Sequence, residues 1–210
     1  MIYINYNYIY KTGIILATHN QNKIIEYKEI LKDLGLNIDI LNDFYIIPSV
    51  CESGCSFNEN AKLKADIISK NLHLPVIADD SGLLVDALNG KPGIFSARFA
   101  GDHDEAANND KLLSEMQGIP FNNRQAIFHT SIVFADYWNN KKDIFASGNL
   151  RGFILDKPRG SNSFGYDPLF YIPTLGKTLA EMTISEKNRL SHRRRAFINL
   201  MKNLFIENVD

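Results

Sequence analysis

The chain has 210 residues, of which 45% are hydrophobic and 22% charged, and carries a net charge of -1. That length supplies one domain, or one domain with a smaller lobe, and so ordinary a composition excludes a disordered or fibrous chain. The near-zero net charge argues against nucleic acid as the main partner, because counterion release rewards a basic surface.

Residues 1–12 are expected to be an N-terminal extension, as an extra edge strand or a loose segment, ahead of a single domain over 13–210. The opening residues lack the basic region and cleavage site of a signal peptide, and no apolar run reaches the ~18 residues that span a bilayer. The expectation is a cytoplasmic protein without a membrane partner. Residues 13–18 form a short apolar run that reads as a buried strand. Ile24, Tyr27, Leu31 and Leu34 then recur at helical spacing, with Gly35 as a stop, which predicts a helix over 22–34. A second strand is expected at 37–41. Cys51 and Cys55 follow as a lone C-x3-C pair, which lacks the further ligands of a structural zinc site and reads as two free thiols.

Phe57, Ala61, Ala65, Ile68 and Leu72 predict a second amphipathic helix with Ser56 or Asn58 near its cap. Residues 75–78 then make a strand that leads into an acidic turn, Asp79-Asp80-Ser81-Gly82. A helix over 104–116, an alternating strand at 126–134 and a strand from about 143 come next, the last two joined as a hairpin. A final helix is expected over 185–205, burying Leu190, Phe197, Leu200 and Leu204. The strand-helix rhythm with a hairpin predicts an α/β fold with a mixed sheet and ligands beyond the strand ends.

Two adjacent carboxylates at a strand end repel unless a cation or basic group stands beside them, and magnesium takes one or two carboxylates plus phosphate oxygens. Taken alone, a solvated Asp turn is the simpler reading of the same residues. Thr18, His19, Asn20, Gln21, Asn22 and Lys23 join a strand to a helix N-terminus, a natural phosphate seat that is also an ordinary N-cap. Glu52 precedes the second helix, and Asn60 and Lys64 share one of its faces. Phe164, Gly165, Tyr166 and Asp167 suit stacking on a base, although aromatic loops also simply pack. Lys187 and the run from Ser191 to Arg195 make a basic end with an imidazole, or a solvated basic face. Gly176-Lys177-Thr178 lacks the first glycine of a P-loop and reads as a turn.

Taken together, these segments resemble the inosine triphosphate pyrophosphatase, or Ham1-like, family from residue 14 to about 200. The match runs through Ala17-Thr18-His19-Asn20 with Lys23, Glu52-Ser53-Gly54, Phe57 with Glu59-Asn60-Ala61 and Lys64, and Ala78-Asp79-Asp80-Ser81-Gly82-Leu83. It continues through Pro92-Gly93 with Ser96-Ala97-Arg98, Phe164-Gly165-Tyr166-Asp167-Pro168, and Ser185-Glu186-Lys187 with Ser191-His192-Arg193. It departs at His19, where glycine is usual in the family, and at 160–163, which is less glycine-rich.

The resemblance implies an elongated mixed sheet flanked by helices, two lobes with a central nucleotide cleft, and a homodimer. It implies magnesium-dependent hydrolysis of inosine, deoxyinosine and xanthosine triphosphates to the monophosphate and pyrophosphate. Under it, Asp80 is the proton acceptor and, with Glu52, a metal ligand. Ser81 touches substrate, Thr18 to Lys23 and Lys64 hold the phosphates, and Phe164 to Asp167, Lys187, His192 and Arg193 surround base and sugar. Two other readings compete: a Maf-like pyrophosphatase acting on modified pyrimidine nucleotides, and a non-enzymatic RNA-binding surface on the last helix.

Overall fold

The computed structural model describes residues 14–36, 38–40, 50–101, 104–161 and 164–206, the last with side chains as far as 204. The expected extension at 1–12, and positions 37 and 41 of the expected second strand, lie outside those residues.

Strand β1 (Ile15–Ala17) is buried throughout and lies between two parallel neighbours, β2 (Asp39–Ile40) and β3 (Val76–Val85). Burial on both faces is why it reads as an unbroken apolar run. Helix α1 (Gln21–Leu34) starts where the Asn20 side chain accepts the Lys23 amide. It stops at Gly35, whose φ of 65° is a left-handed conformation that glycine adopts without steric penalty. Helix α2 (Phe57–Leu72) is capped by Ser56, which accepts the Glu59 amide, and α3 (Glu105–Glu115) by Asp104, which accepts the Ala107 amide.

The chain then forms β4 (Gln125–Ala135), β5 (Ile144–Ile154), β6 (Phe170–Ile172) and β7 (Lys177–Thr178), and ends in α4 (Ile184–Leu190) and α5 (His192–Ile206). The seven strands make one sheet in the order β2-β1-β3-β4-β5-β6-β7. Pairing is parallel around β1 and antiparallel around β6, so the sheet is mixed and the fold is α/β. No described helix is long and apolar enough to cross a membrane.

By its contacts the chain divides into two compact units, the first made of 1–80, 130–148 and 193–210 and the second of 81–129 and 149–192. The first unit buries two apolar clusters. One joins Tyr27, Ile30 and Leu31 of α1 to Phe197, Leu200 and Leu204 of α5 over Leu16, Ile77 and Phe134. The other packs Ala61, Ala65 and Ile68 of α2 on Ile15, Val76, Ala78 and Val133. The second unit has its own core around Leu83, Leu112, Met116, Phe128, Leu169 and Phe170. Each fully buried side chain of this size contributes roughly 1.5–3 kcal/mol.

Two expectations are corrected. The acidic segment 79–82 is not a turn, because β3 runs unbroken from Val76 to Val85. Apolar residues flank it on both sides, and its two carboxylates have partners that permit burial. The expected final helix is two helices, interrupted at Ser191, which is extended at φ -63° and ψ 150°. Thr183 and Glu186 form a capping box that starts α4 on its own. The physical reason for the break is that Leu190 packs against the core of the second unit, whereas Phe197, Leu200 and Leu204 belong to a core of the first.

Candidate active site

In a strand, successive side chains point to opposite faces. Since Asp79 and Asp80 lie within β3, they separate. Asp79 follows Ile77 onto the α1 side, where its Oδ2 accepts a 2.7 Å hydrogen bond from Lys23 Nζ. Asp80 follows Ala78 onto the α2 side, where its Oδ2 accepts a 3.1 Å bond from Asn60 Nδ2 and its Oδ1 stands 3.6 Å from Lys64 Nζ. Lys64 also donates to Glu52 Oε1 at 2.9 Å. One ammonium group thus gathers two carboxylates.

The two faces leave the neighbouring acids with different proton affinities. Burial alone would raise the Asp79 carboxyl, but the charges of Lys23, Lys64 and Arg193 outweigh it and hold the group down at about 2. For Asp80 burial wins against Lys64 and Lys23, with the Glu52 charge adding to it, and the carboxyl is raised. Lys23 is lowered by burial in spite of Asp79, and Lys64 is raised because Asp80, Asp79 and Glu52 outweigh its burial. Behind Asp79, Arg193 Nη1 donates to Glu26 Oε2 at 2.7 Å, and both side chains are buried. The Tyr27 hydroxyl is held well above its usual range by burial first and the Asp79 charge second.

Ahead of this cluster, β1 delivers Thr18 to Asn20 to the N-terminus of α1. Thr18 Oγ1 accepts the Asn20 amide at 3.3 Å, and Asn20 Oδ1 accepts the Lys23 amide at 3.1 Å. The Gln21 and Asn22 amides lie in the first turn, where an α-helix supplies no partner of its own. His19, Gln21 and Asn22 are exposed.

The second unit contains a different group of side chains. Lys187 of α4 is buried in an ion pair with Asp167, and its ammonium stands 5.4 Å from the centre of the Phe164 ring. Gly165, at φ 57°, lets the loop between them turn, and Asn109 Nδ2 donates to its carbonyl at 2.9 Å. Tyr166 is buried and donates its hydroxyl to the Ser96 carbonyl at 2.9 Å. His192 is buried too, its ring stacked on Phe128 at 5.0 Å and 12°. Ser81, half-buried, begins this unit directly after Asp80.

The sequence pattern of the Ham1 family matches residues 14–203. The chain belongs to the Ham1 family. It is 48% identical over 188 residues to the dITP/XTP pyrophosphatase of Bacillus cereus, a match that covers 89% of this chain and 92% of that protein. Identity to the dITP/XTP pyrophosphatase of Lactiplantibacillus plantarum is also 48%, covering 90% of this chain and 92% of the relative. Among solved structures, the Staphylococcus aureus Ham1 protein superposes with a TM-score of 0.80 at 39% identity, covering 93% of this chain and 99% of that one. A HAM1 protein from Coxiella burnetii gives the same TM-score of 0.80 and 39% identity, over 92% and 98% of the two chains.

In this Ham1-family chain the first unit brings together Lys23, Glu52, Lys64 and Asp80 of the expected site, while Phe164, Asp167, Lys187 and His192 lie in the second. Arg193 shares the first unit with Asp79 and Glu26. Roles for Glu26 and Asn60, and the partner of Asp79, are not legible in the sequence alone. Separations of 56 positions between Lys23 and Asp79, and of 167 between Glu26 and Arg193, put both pairings beyond local pattern. The spacing of Asn60 and Lys64 along α2 was the one signal in reach.

Among the described residues no group of three or more His, Cys, Asp and Glu could hold a metal ion on its own. Two carboxylates converging on Lys64 fit a hard cation that completes its shell with phosphate and water oxygens, as magnesium does.

Proposed function

We propose that this chain hydrolyses inosine, deoxyinosine and xanthosine triphosphates to the monophosphate and pyrophosphate, with magnesium as cofactor and as a cytoplasmic homodimer that cleanses the nucleotide pool. The observation that carries this reading is the unequal pair in β3: Asp79 kept ionised by Lys23, Asp80 made more basic and gathered with Glu52 around Lys64. Adjacent acids driven apart in proton affinity are how a fold separates a charge partner from a general base. The relatives' activity supports the same reading, since they are named as dITP/XTP pyrophosphatases.

In this mechanism Asp80 takes a proton from water as the water oxygen bonds to the α-phosphorus and the bond to the departing pyrophosphate breaks. Glu52 and Asp80 would hold magnesium, which would supply positive charge against the developing charge of the triphosphate. Lys64 adds charge from the same side, and the first-turn amides of α1, with Thr18 and Lys23, orient the phosphates. In the second unit Lys187 offers a donor that a 6-oxo purine accepts and the 6-amino group of adenine does not, while Phe164 offers a stacking face.

Release of pyrophosphate from inosine triphosphate, followed with and without magnesium, tests this reading. Asp80→Asn is expected to lower the rate at least ~100-fold. An undiminished rate would remove Asp80 from the mechanism, and faster turnover of modified uridine triphosphates than of purine substrates would reassign the substrate class.

A further inference from the structure

Asn60 is fully buried, one helical turn before Lys64 in α2. Both ends of its carboxamide are engaged. Oδ1 accepts the Gly54 amide at 2.9 Å, and Nδ2 donates to Asp80 Oδ2 at 3.1 Å. Gly54 lies two residues beyond Glu52, so one side chain ties the loop of one carboxylate to the other carboxylate.

The approach is close. A Cβ on Gly54 would stand 2.7 Å from Glu59 Cβ and 2.8 Å from Asn60 Oδ1, distances at which the loop must shift. The next amide, of Cys55, is taken by Glu59 Oε2 at 2.6 Å. The loop is therefore seated on the first turn of α2 by consecutive backbone amides. Lys64 also reaches Glu52 and Asp80, but as a point charge on a flexible stem that sets no direction. Asn60 is short, planar and directional, with a donor and an acceptor on one group. Asp at this position keeps the acceptor and loses the donor.

We propose that Asn60 is a positioning residue for the hydrolysis, its buried carboxamide fixing the direction of Asp80 and the seat of the Glu52 loop so that both carboxylates face one cation. This rests on the function proposed above. It adds a residue whose work is done before substrate arrives. Outer groups that orient ligands in this way typically alter metal affinity or activity by ~10–100-fold when removed.

The test measures binding of Mn2+ to the nucleotide-free protein, and kcat and KM for inosine triphosphate, in the parent, Asn60→Ala and Asn60→Asp. Asn60→Ala is expected to bind Mn2+ about 10-fold more weakly and to lose about 10–100-fold in kcat, with KM moved far less. Asn60→Asp is expected to lose kcat to a similar degree while keeping the bond to Gly54. Because the added carboxylate itself attracts cations, kcat is the reading that decides for this variant. Should Asn60→Ala fail to fold, Asn60→Ser, which keeps a small polar group in the space, replaces it in both measurements. Parent-like Mn2+ affinity and kcat in a folded Ala or Ser variant overturn the proposal, as does parent-like kcat in Asn60→Asp. A parent that neither binds Mn2+ nor releases pyrophosphate sinks the reading of function instead, which keeps the two failures apart.

Discussion

Asp79 and Asp80 are adjacent in sequence and have little else in common. The two-residue period of β3 sends Asp79 to Lys23 and Asp80 to Asn60 and Lys64, so sheet geometry rather than residue type assigns their roles. Asp79→Asn leaves a partly buried ammonium without its buried carboxylate, and breaking such a pair costs up to about 3–5 kcal/mol, to be read from urea unfolding. The Asp79 carboxyl is held at about 2 against a usual 3.8, so its stabilisation is fully present above the unfolded value and is lost as pH falls through the folded one. The stability gap between parent and Asp79→Asn in metal-free buffer is therefore expected to shrink by roughly 2 kcal/mol between about pH 5 and pH 2. A gap that stays constant over that range would show that Asp79 is not held ionised by its neighbours. Asp80 acts with the opposite sign, since its raised carboxyl favours protonation in the fold. The variant comparison is needed for that reason, because the parent alone mixes the two.

At the scale of elements, the starts and stops were legible wherever a single side chain satisfies the end of a helix. Ser56 and Gly35 cap α2 and α1 as their residue types predict. What could not be read is where one apolar stripe passes from one core to another. Leu190 and Phe197 are both apolar at helical spacing, yet they belong to different clusters, and the chain breaks at Ser191 between them. The site divides in the same way. Asn60 and Lys64 are one helical turn apart and share a face legible in the sequence, whereas the partners of Asp79 and Arg193 lie far along the chain. The box that starts α4 gives an element-level prediction: Thr183→Ala removes the acceptor for the Glu186 amide and is expected to lower stability by about 1 kcal/mol. Because α4 carries Lys187 and not Asp80, the variant should raise KM for inosine triphosphate more than it lowers kcat. Steady-state kinetics that showed only a fall in kcat would contradict that division of labour.

At the scale of the whole molecule, one mixed sheet contributes strands to two units with separate cores, and the proposed chemistry belongs to the first while the proposed base recognition belongs to the second. The homodimer in the proposal is checked by light scattering, where twice the mass of the chain is expected and the mass of one chain would overturn it. Glu52, Asp79 and Asp80 lie among Lys23 and Lys64, so most of the site's negative charge is already balanced by residues that arrive with the fold. In zinc fingers metal binding and folding are the same event, because the free energy of binding is the free energy of folding. Here the scaffold carries its own counterions, which separates the question of whether the protein folds from the question of whether it turns over. A saturating chelator is expected to abolish pyrophosphate release while leaving Tm where it was, and a large fall in Tm would mean that the lysines do not suffice. The cation is then a reagent of the reaction, not a rivet in the fold.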